Sequence, residues 1–386
     1  MALHENLIPT VACEGTHSGT KRAIGQRSKY ASASMVWFIV ATLMLPLAAQ
    51  TAVAGPVVPL QVSTSPSNNG DLNPYGLINV PPGFPAGSIR KGQLLVSNFN
   101  DSNNVQGKGT TIIAVDPDSG NTSLFFAGTP GTPLGFSNAL TVAAAGFVFA
   151  GSVPTSDPKG TVPEPGALLV IDNQGHLVNQ LSQSDKINGP WGMAINDQGD
   201  HAQLFVSNVL EGTITRIEVA FQGGNFSVVG SLTIAQGYHF GLDPTAVVVG
   251  PAGLVYDGDS DTLYVASELD NEIFALQNAG RTTSDLGTGD VIFSDSTHLR
   301  GPLGLISATN GHLITANADP STVTSSSAGP SEIVEFTKQG QFVRTFSIDS
   351  ASGSAFALNE LFRRGSIQFS YVDDSEANLT IWHLAD

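Results

Sequence analysis

PWGMAINDQGDHAQLFVSNVLEGTITRIEVA, residues 190–220, packs three short β-type runs into one stretch of chain. Pro190-Trp191-Gly192-Met193 opens the first run, and Gln203-Leu204-Phe205-Val206-Ser207-Asn208 is the second. Residues 212–219 form the third, alternating apolar and polar as a strand packed unequally on its two faces should. Between the first two lies Asn196-Asp197-Gln198-Gly199-Asp200, whose residues tolerate left-handed backbone or bond their own main chain, so a tight turn is predicted.

The same unit recurs along the chain. Its opening motif, a small residue followed by an apolar one and often preceded by Pro-x, appears at Pro74-Tyr75-Gly76-Leu77, Ser137-Asn138-Ala139-Leu140, Pro190-Trp191-Gly192-Met193, Pro244-Thr245-Ala246-Val247, Pro302-Leu303-Gly304-Leu305 and Ala355-Phe356-Ala357-Leu358. The small residues are 63, 53, 54, 58 and 53 positions apart. Short strands repeating at that period indicate propeller blades. Second strands follow at residues 93–98, 147–152, 203–208, 262–267 and 312–317, with a looser one at 367–372. The sixth unit runs out of chain after its third strand, residues 377–384, while a spare β-like segment, residues 57–64, lies near the beginning. Pairing the two would close the ring and remove an open sheet edge. The expectation is an all-β, six-bladed β-propeller over residues 55–386, its N-terminal strand closing the last blade.

Residues 1–54 read as a signal peptide with a long N-terminal extension. Lys21, Arg22, Arg27 and Lys29 precede a nearly uncharged apolar run, residues 35–49, followed by Ala52-Val53-Ala54. That is the order of a secretory signal, and the run is shorter than the roughly 20 residues that span a bilayer. A secreted or periplasmic protein without stable membrane insertion after signal removal is predicted. The one cysteine, Cys13, falls in this leader, so beyond it no disulfide or thiolate chemistry is available. The formal net charge of −17, with 33 acidic and 16 basic residues, opposes nucleic acid as a partner.

Strand pairs such as Thr262-Leu263-Tyr264-Val265-Ala266-Ser267 followed by Asn271-Glu272-Ile273-Phe274-Ala275-Leu276 resemble NHL and SMP-30 propellers. Asn73-Pro74-Tyr75-Gly76-Leu77 and Ser97-Asn98 also resemble an uncharacterised family of exported bacterial propeller proteins. The resemblance covers nearly all of residues 55–386 and implies the scaffold. Lactonases of the SMP-30 family imply a metal held by Glu, Asn and Asp, typically within Pro-Asn-Gly and Pro-Asp-Gly turns, and neither tripeptide occurs here. Streptogramin-lyase-like propellers imply channel histidines and a Glu, and His239 with Glu268 is the pair that could answer to them.

In a propeller the inner strand begins, and the second strand ends, around one mouth of the central channel. The repeat nominates Tyr75, Asn138, Trp191, Thr245, Leu303 and Phe356 from the first set, and Asn98, Ser152, Asn208, Ser267 and Asn317 from the second. Tyr75, Asn98, Asn138, Trp191, Asn208, Thr245, Ser267 and Asn317 make up the predicted ligand-binding face. Aromatic plates beside neutral amides and hydroxyls suit an unidentified small molecule, carbohydrate or peptide. The alternative for these residues is structural, with aromatics filling gaps and amides capping backbone groups. Asp257-Gly258-Asp259-Ser260-Asp261 spaces carboxylates like the start of a calcium loop but lacks the later Glu, so a hairpin turn is expected and neither metal nor cofactor is assigned. The leading expectation is a non-enzymatic binding or interaction module. The alternative is a metal-dependent lactonase-like hydrolase or a streptogramin-lyase-like enzyme working in the channel.

Overall fold

The computed structural model describes residues 59–65, 68–129, 134–323 and 329–385. The leader, and Val57 and Val58 of the expected closing segment, lie outside them. Among the described residues no helix is long and apolar enough to cross a membrane.

Six four-stranded antiparallel sheets follow one another around the ring. Blade one runs Leu72–Asn79, Leu94–Asn100, Thr111–Val115 and Thr122–Ala127, from the inner to the outer strand. Blade two is Leu140–Ala143, Phe147–Ser152, Ala167–Asp172 and Leu177–Leu181, and blade three is Pro190–Asp197, His201–Asn208, Thr213–Gln222 and Asn225–Gln236. Blade four is Pro251–Asp257, Thr262–Ser267, Glu272–Gln277 and Asp290–Phe293. Blade five is Pro302–Ser307, Leu313–Asn317, Ser331–Phe336 and Phe342–Asp349. Blade six takes three consecutive strands, Ala355–Arg363, Ser366–Asp373 and Asn378–Ala385, and borrows its outer one, Leu60–Ser63, from the other end of the chain. Leu60 stands opposite Ile381 and Ser63 opposite Asn378.

Sheet stacking explains the burial pattern. Second strands have neighbours on both faces, so Leu94–Asn100 and Thr262–Ser267 are buried along their whole length and read as continuous runs. Outer strands such as Asn225–Gln236 have one solvated face. The inner strands crowd closest, and at Gly76, Gly192 and Gly304 the small residue of the opening motif sits where the next blade's main chain passes. A Cβ on Gly192 would meet the Ala252 carbonyl oxygen at 1.9 Å, and one on Gly304 would meet that of Phe356 at 2.2 Å. Hydroxyls bridge the same seam: Ser207 Oγ accepts from Gly192 N (2.7 Å) and donates to Ala252 O (2.8 Å), and Ser97 Oγ accepts from Gly76 N (3.1 Å).

The fourth opening motif differs from the sequence reading. The inner strand of blade four starts at Pro251-Ala252-Gly253-Leu254, and a Cβ on Gly253 would lie 2.4 Å from the Leu303 carbonyl oxygen, the same close approach as in the other blades. Pro244-Thr245-Ala246-Val247 is a second copy of the pattern seven residues earlier. It forms the turn of a separate two-stranded ribbon, Gly241–Asp243 with Val247–Val249, which belongs to no blade. The acidic stretch from Asp257 to Asp261 is a hairpin turn: Asp257 pairs with Lys338 Nζ (2.7 Å), and Asp261 takes Tyr256 Oη (2.8 Å) and Gly280 N (2.6 Å).

Candidate functional site

One mouth of the channel opens as a cavity of about 590 Å³. Tyr75, Trp191, Leu303 and Phe356 line it from the starts of inner strands. They belong to one apolar cluster with Phe99, Phe136 and Val209. Tyr75 is held rigidly, its ring stacked between Phe99 (3.5 Å between centroids) and Phe356 (3.7 Å), while Trp191 packs edge-on against Phe136 at 5.7 Å. Thr245 also lines the mouth, but from the ribbon, and the blade-four residue matching Trp191 is the fully buried Ala252. Asn138 lies elsewhere, on a second cavity of about 280 Å³ among the inner strands.

The second-strand amides are occupied with structure. Asn98 Nδ2 donates to Thr64 O (3.0 Å) and Thr111 Oγ1 (3.2 Å). Asn208 accepts from Asn188 N (3.0 Å) and donates to Thr215 Oγ1 (3.0 Å), and Asn317 accepts from Arg300 N (3.0 Å) and donates to His298 O (2.7 Å). Each fastens the loop that leads into an inner strand. Ser267 donates to Asp270 Oδ2 (2.6 Å), and in blade four Asn271 does the fastening, accepting from Gly301 N at 2.8 Å.

The mouth is reached instead by the residue one step further along. Pro74, Pro190, Pro251, Pro302 and Ala355 stand opposite Asn98, Asn208, Ser267, Asn317 and Asp373. The next residues are Phe99, Val209, Glu268, Ala318 and Asp374. Phe99 and Val209 join the channel cluster, and the other three line the mouth. Strand side chains alternate between faces, so a one-residue offset exchanges a fastening amide for a channel group. The signal was in the sequence, since only Glu268 and Asp374 are polar at this position.

The carboxyl groups differ in what surrounds them. Asp319 is taken by Arg300 Nε (2.5 Å) and Gly353 N (3.1 Å). Glu268 is 1% exposed, with Gly250 N 3.4 Å from Oε2, and burial drives its carboxyl well above the usual range against the pull of Gly250 and the nearby Trp191 indole. That indole Nε1 makes no hydrogen bond of good geometry to the described residues. Asp374 is only partly buried, and its carboxyl meets main-chain N–H groups rather than a cation. Burial, then the charges of Asp373 and Asp349, push it up to about 7. Both Asp374 and Glu268 act on the Tyr75 hydroxyl, which burial raises well above its usual range. His239 is not part of this group: its side chain is 79% exposed and its Nδ1 pairs with Asp270 at 2.5 Å.

Of the described carboxyl groups at the mouth, only Asp374 is left open to a catalytic cation of the kind the SMP-30 resemblance implies. Among the described residues no three His, Cys, Asp or Glu side chains are grouped closely enough to hold a metal ion. Arg300 consumes Asp319, and Glu268 is walled in.

No family model matches the sequence. No curated relative matches it either. Solved structures do. A Thermus thermophilus protein provisionally described as an oxidoreductase (glucose dehydrogenase) is 12% identical, with 85% of this chain and 100% of that one covered and a TM-score of 0.50. A gluconolactonase from Xanthomonas campestris is 14% identical over 86% of this chain and 99% of its own, with a TM-score of 0.48. The calcium-binding protein regucalcin from Agrobacterium tumefaciens is 12% identical over 86% and 96%, with a TM-score of 0.47. At such identities the likeness concerns the fold alone: this chain is a six-bladed β-propeller.

Proposed function

We propose that the channel mouth is a small-molecule site that hydrolyses a neutral, hydroxylated carbonyl compound, with sugar lactones as the substrate class and Asp374 as general base. The observation that carries this is the Asp374 carboxyl, lining a polar cavity, unpaired with any cation among the described residues and pushed up to about 7. A base poised near the working pH is the most effective kind, and a perturbed acid in a cleft is a candidate functional group. Asp374 takes a proton from water as the water oxygen bonds to the lactone carbonyl carbon. The ring C–O bond then breaks, and the proton passes to the departing alkoxide, leaving the hydroxy acid. The hydroxyls of Thr245, Ser321 and Ser352 and the Gln106 amide also line the cavity and suit a polyol.

Turnover of a panel of sugar lactones, measured above the spontaneous rate, should rise with pH to about 7 and then level, because the ionised carboxylate is the active form. Asp374→Asn should lower the rate about 10²- to 10⁴-fold and remove that rise. Absence of turnover, or an unchanged Asp374→Asn profile, would overturn the reading.

A second reading is a binding module without catalysis, and the burial of Glu268 favours it, since no second acid then works beside Asp374 at the mouth. Calorimetric binding of neutral oligosaccharides without turnover is its expected outcome. In either reading the protein works outside the cytoplasm, as the leader suggests, and fractionation of cells producing the full chain tests this.

A further inference from the structure

Beside the mouth, the ribbon is attached unlike any blade strand. It is an isolated pair of three-residue strands, too small to hold its shape alone. Its two halves are bound unequally. Val247, Val248 and Val249 are buried, and the first two belong to the channel cluster. On the other half Phe240 is 46% and Leu242 66% exposed. Between the halves Val248 N bonds Ala246 O (2.8 Å), a three-residue turn centred on Val247 at φ 66. That conformation is rare and strained, the more so for a β-branched residue. The exposed half begins after Gly237, at φ 102.

Asp243 holds that half down. Its Oδ1 accepts from Thr245 N (2.7 Å), Thr245 Oγ1 (2.7 Å) and Ala246 N (2.9 Å), shaping the turn. Its Oδ2 accepts from Thr322 N (2.7 Å) and Ser321 Oγ (3.0 Å), on the blade-five loop that forms the facing wall of the mouth. Ser321 N also donates to Thr245 Oγ1 (3.2 Å). Burial alone would raise this carboxyl, but these hydrogen bonds overcome it and hold it well below the usual range, so the tie persists across ordinary pH.

We propose that residues 240–246 are a flap over the channel mouth, hinged at Val247 and latched to the facing loop through Asp243, so that a ligand reaches the pocket when the latch opens. Val247–Val249 stay in the core as the fixed leaf of the hinge. Thr245 and Ala246 move with the flap, and both line the cavity, so latch and ligand compete for the same wall. Strain at Val247 makes the closed form dependent on its tether. The inference rests on the mouth being a small-molecule site and is independent of catalysis.

Trp191, 2% exposed beneath the mouth, reports on opening. The chain has three tryptophans, so Trp37→Phe with Trp382→Phe leaves its emission alone. Acrylamide is the probe. Ser321→Ala and Asp243→Asn should each raise its quenching constant several-fold, and the amides of Thr245, Ala246 and Thr322 should exchange with deuterium faster as one group. Ser321→Ala removes the facing hydroxyl and leaves the main-chain donors Thr322 N and Ser321 N, so it weakens the latch without disturbing the turn and decides the matter if Asp243→Asn does not fold. Unchanged quenching and unchanged exchange in Ser321→Ala would overturn the flap. Lactone turnover is read separately, so either proposal can fail alone.

Discussion

Asp374 and Asn98 show how differently one offset of a residue can be used. The amides of Asn98, Asn208 and Asn317 were legible as the polar ends of second strands, and their use as loop fasteners was the structural alternative that the sequence left open. Choosing between the two roles needs the strand's facing, which depends on a bulge where the inner strand begins, as between Pro190 and Gly192. Asp374 lies past that bulge and carries a pH signature in stability. Its folded pKa of about 7 exceeds the ordinary value of 3.8, so the fold prefers the protonated form. Stability from this group is therefore complete below pH about 4, falls as pH rises to about 7 and is then constant. Asp374→Asn should match the parent near pH 4 and exceed it at pH 8 by about 2–4 kcal/mol, read from urea midpoints. Glu268, raised by burial, acts in the same direction.

Within an element, the opening motif succeeds as a fold signal because its small residue answers a contact. The blades must let one inner strand pass the next, and at Gly192, Gly253 and Gly304 the obstacle is a main-chain carbonyl that cannot swing aside. The six-blade reading and its period follow from that requirement. The error at Ala246 has the same source: a Pro-x-small-apolar string is written twice within eleven residues, and only the approach of Leu303 O to Gly253 shows which copy is the strand. A ribbon that lies outside the repeat leaves no periodic trace, so this wall of the mouth was not legible. Gly192→Ala and Gly304→Ala should each cost about 1–3 kcal/mol or more, by forcing neighbouring blades apart. Gly230→Ala, on an outer strand with nothing within 4 Å of the new methyl and no positive φ, should be neutral or stabilise by about 0.4–1 kcal/mol. Equal effects at the three sites would remove the packing account.

Across the whole molecule several contacts fasten the ring where its ends meet, and two of them differ sharply in strength. One is ionic: Asp118 of blade one takes Arg363 (3.1 Å) and Arg364 (2.9 Å) of blade six, all at the surface. Such pairs contribute about 0–1 kcal/mol and weaken in salt. The other is the borrowed strand, which buries Val62, ties Thr64 N to Ala377 O (3.1 Å) and supplies the carbonyl that satisfies Asn98. Removing it exposes Val62's site, at about 1.5–3 kcal/mol, and strips a buried amide of a partner, at about 1–3 kcal/mol more. It also bares the outer edge of Asn378–Ala385 to pairing with other chains. Asp118→Asn should therefore shift the urea midpoint little, and less still in about 0.5 M salt, where the Debye length falls to about 4–5 Å. A chain lacking residues 1–67 should lose several kcal/mol regardless of salt and self-associate on light scattering. If the truncated chain stayed monomeric with the parent's midpoint, closure would have to come from the remaining contacts between blades one and six, and Leu60–Ser63 would be an ornament on a ring that holds itself.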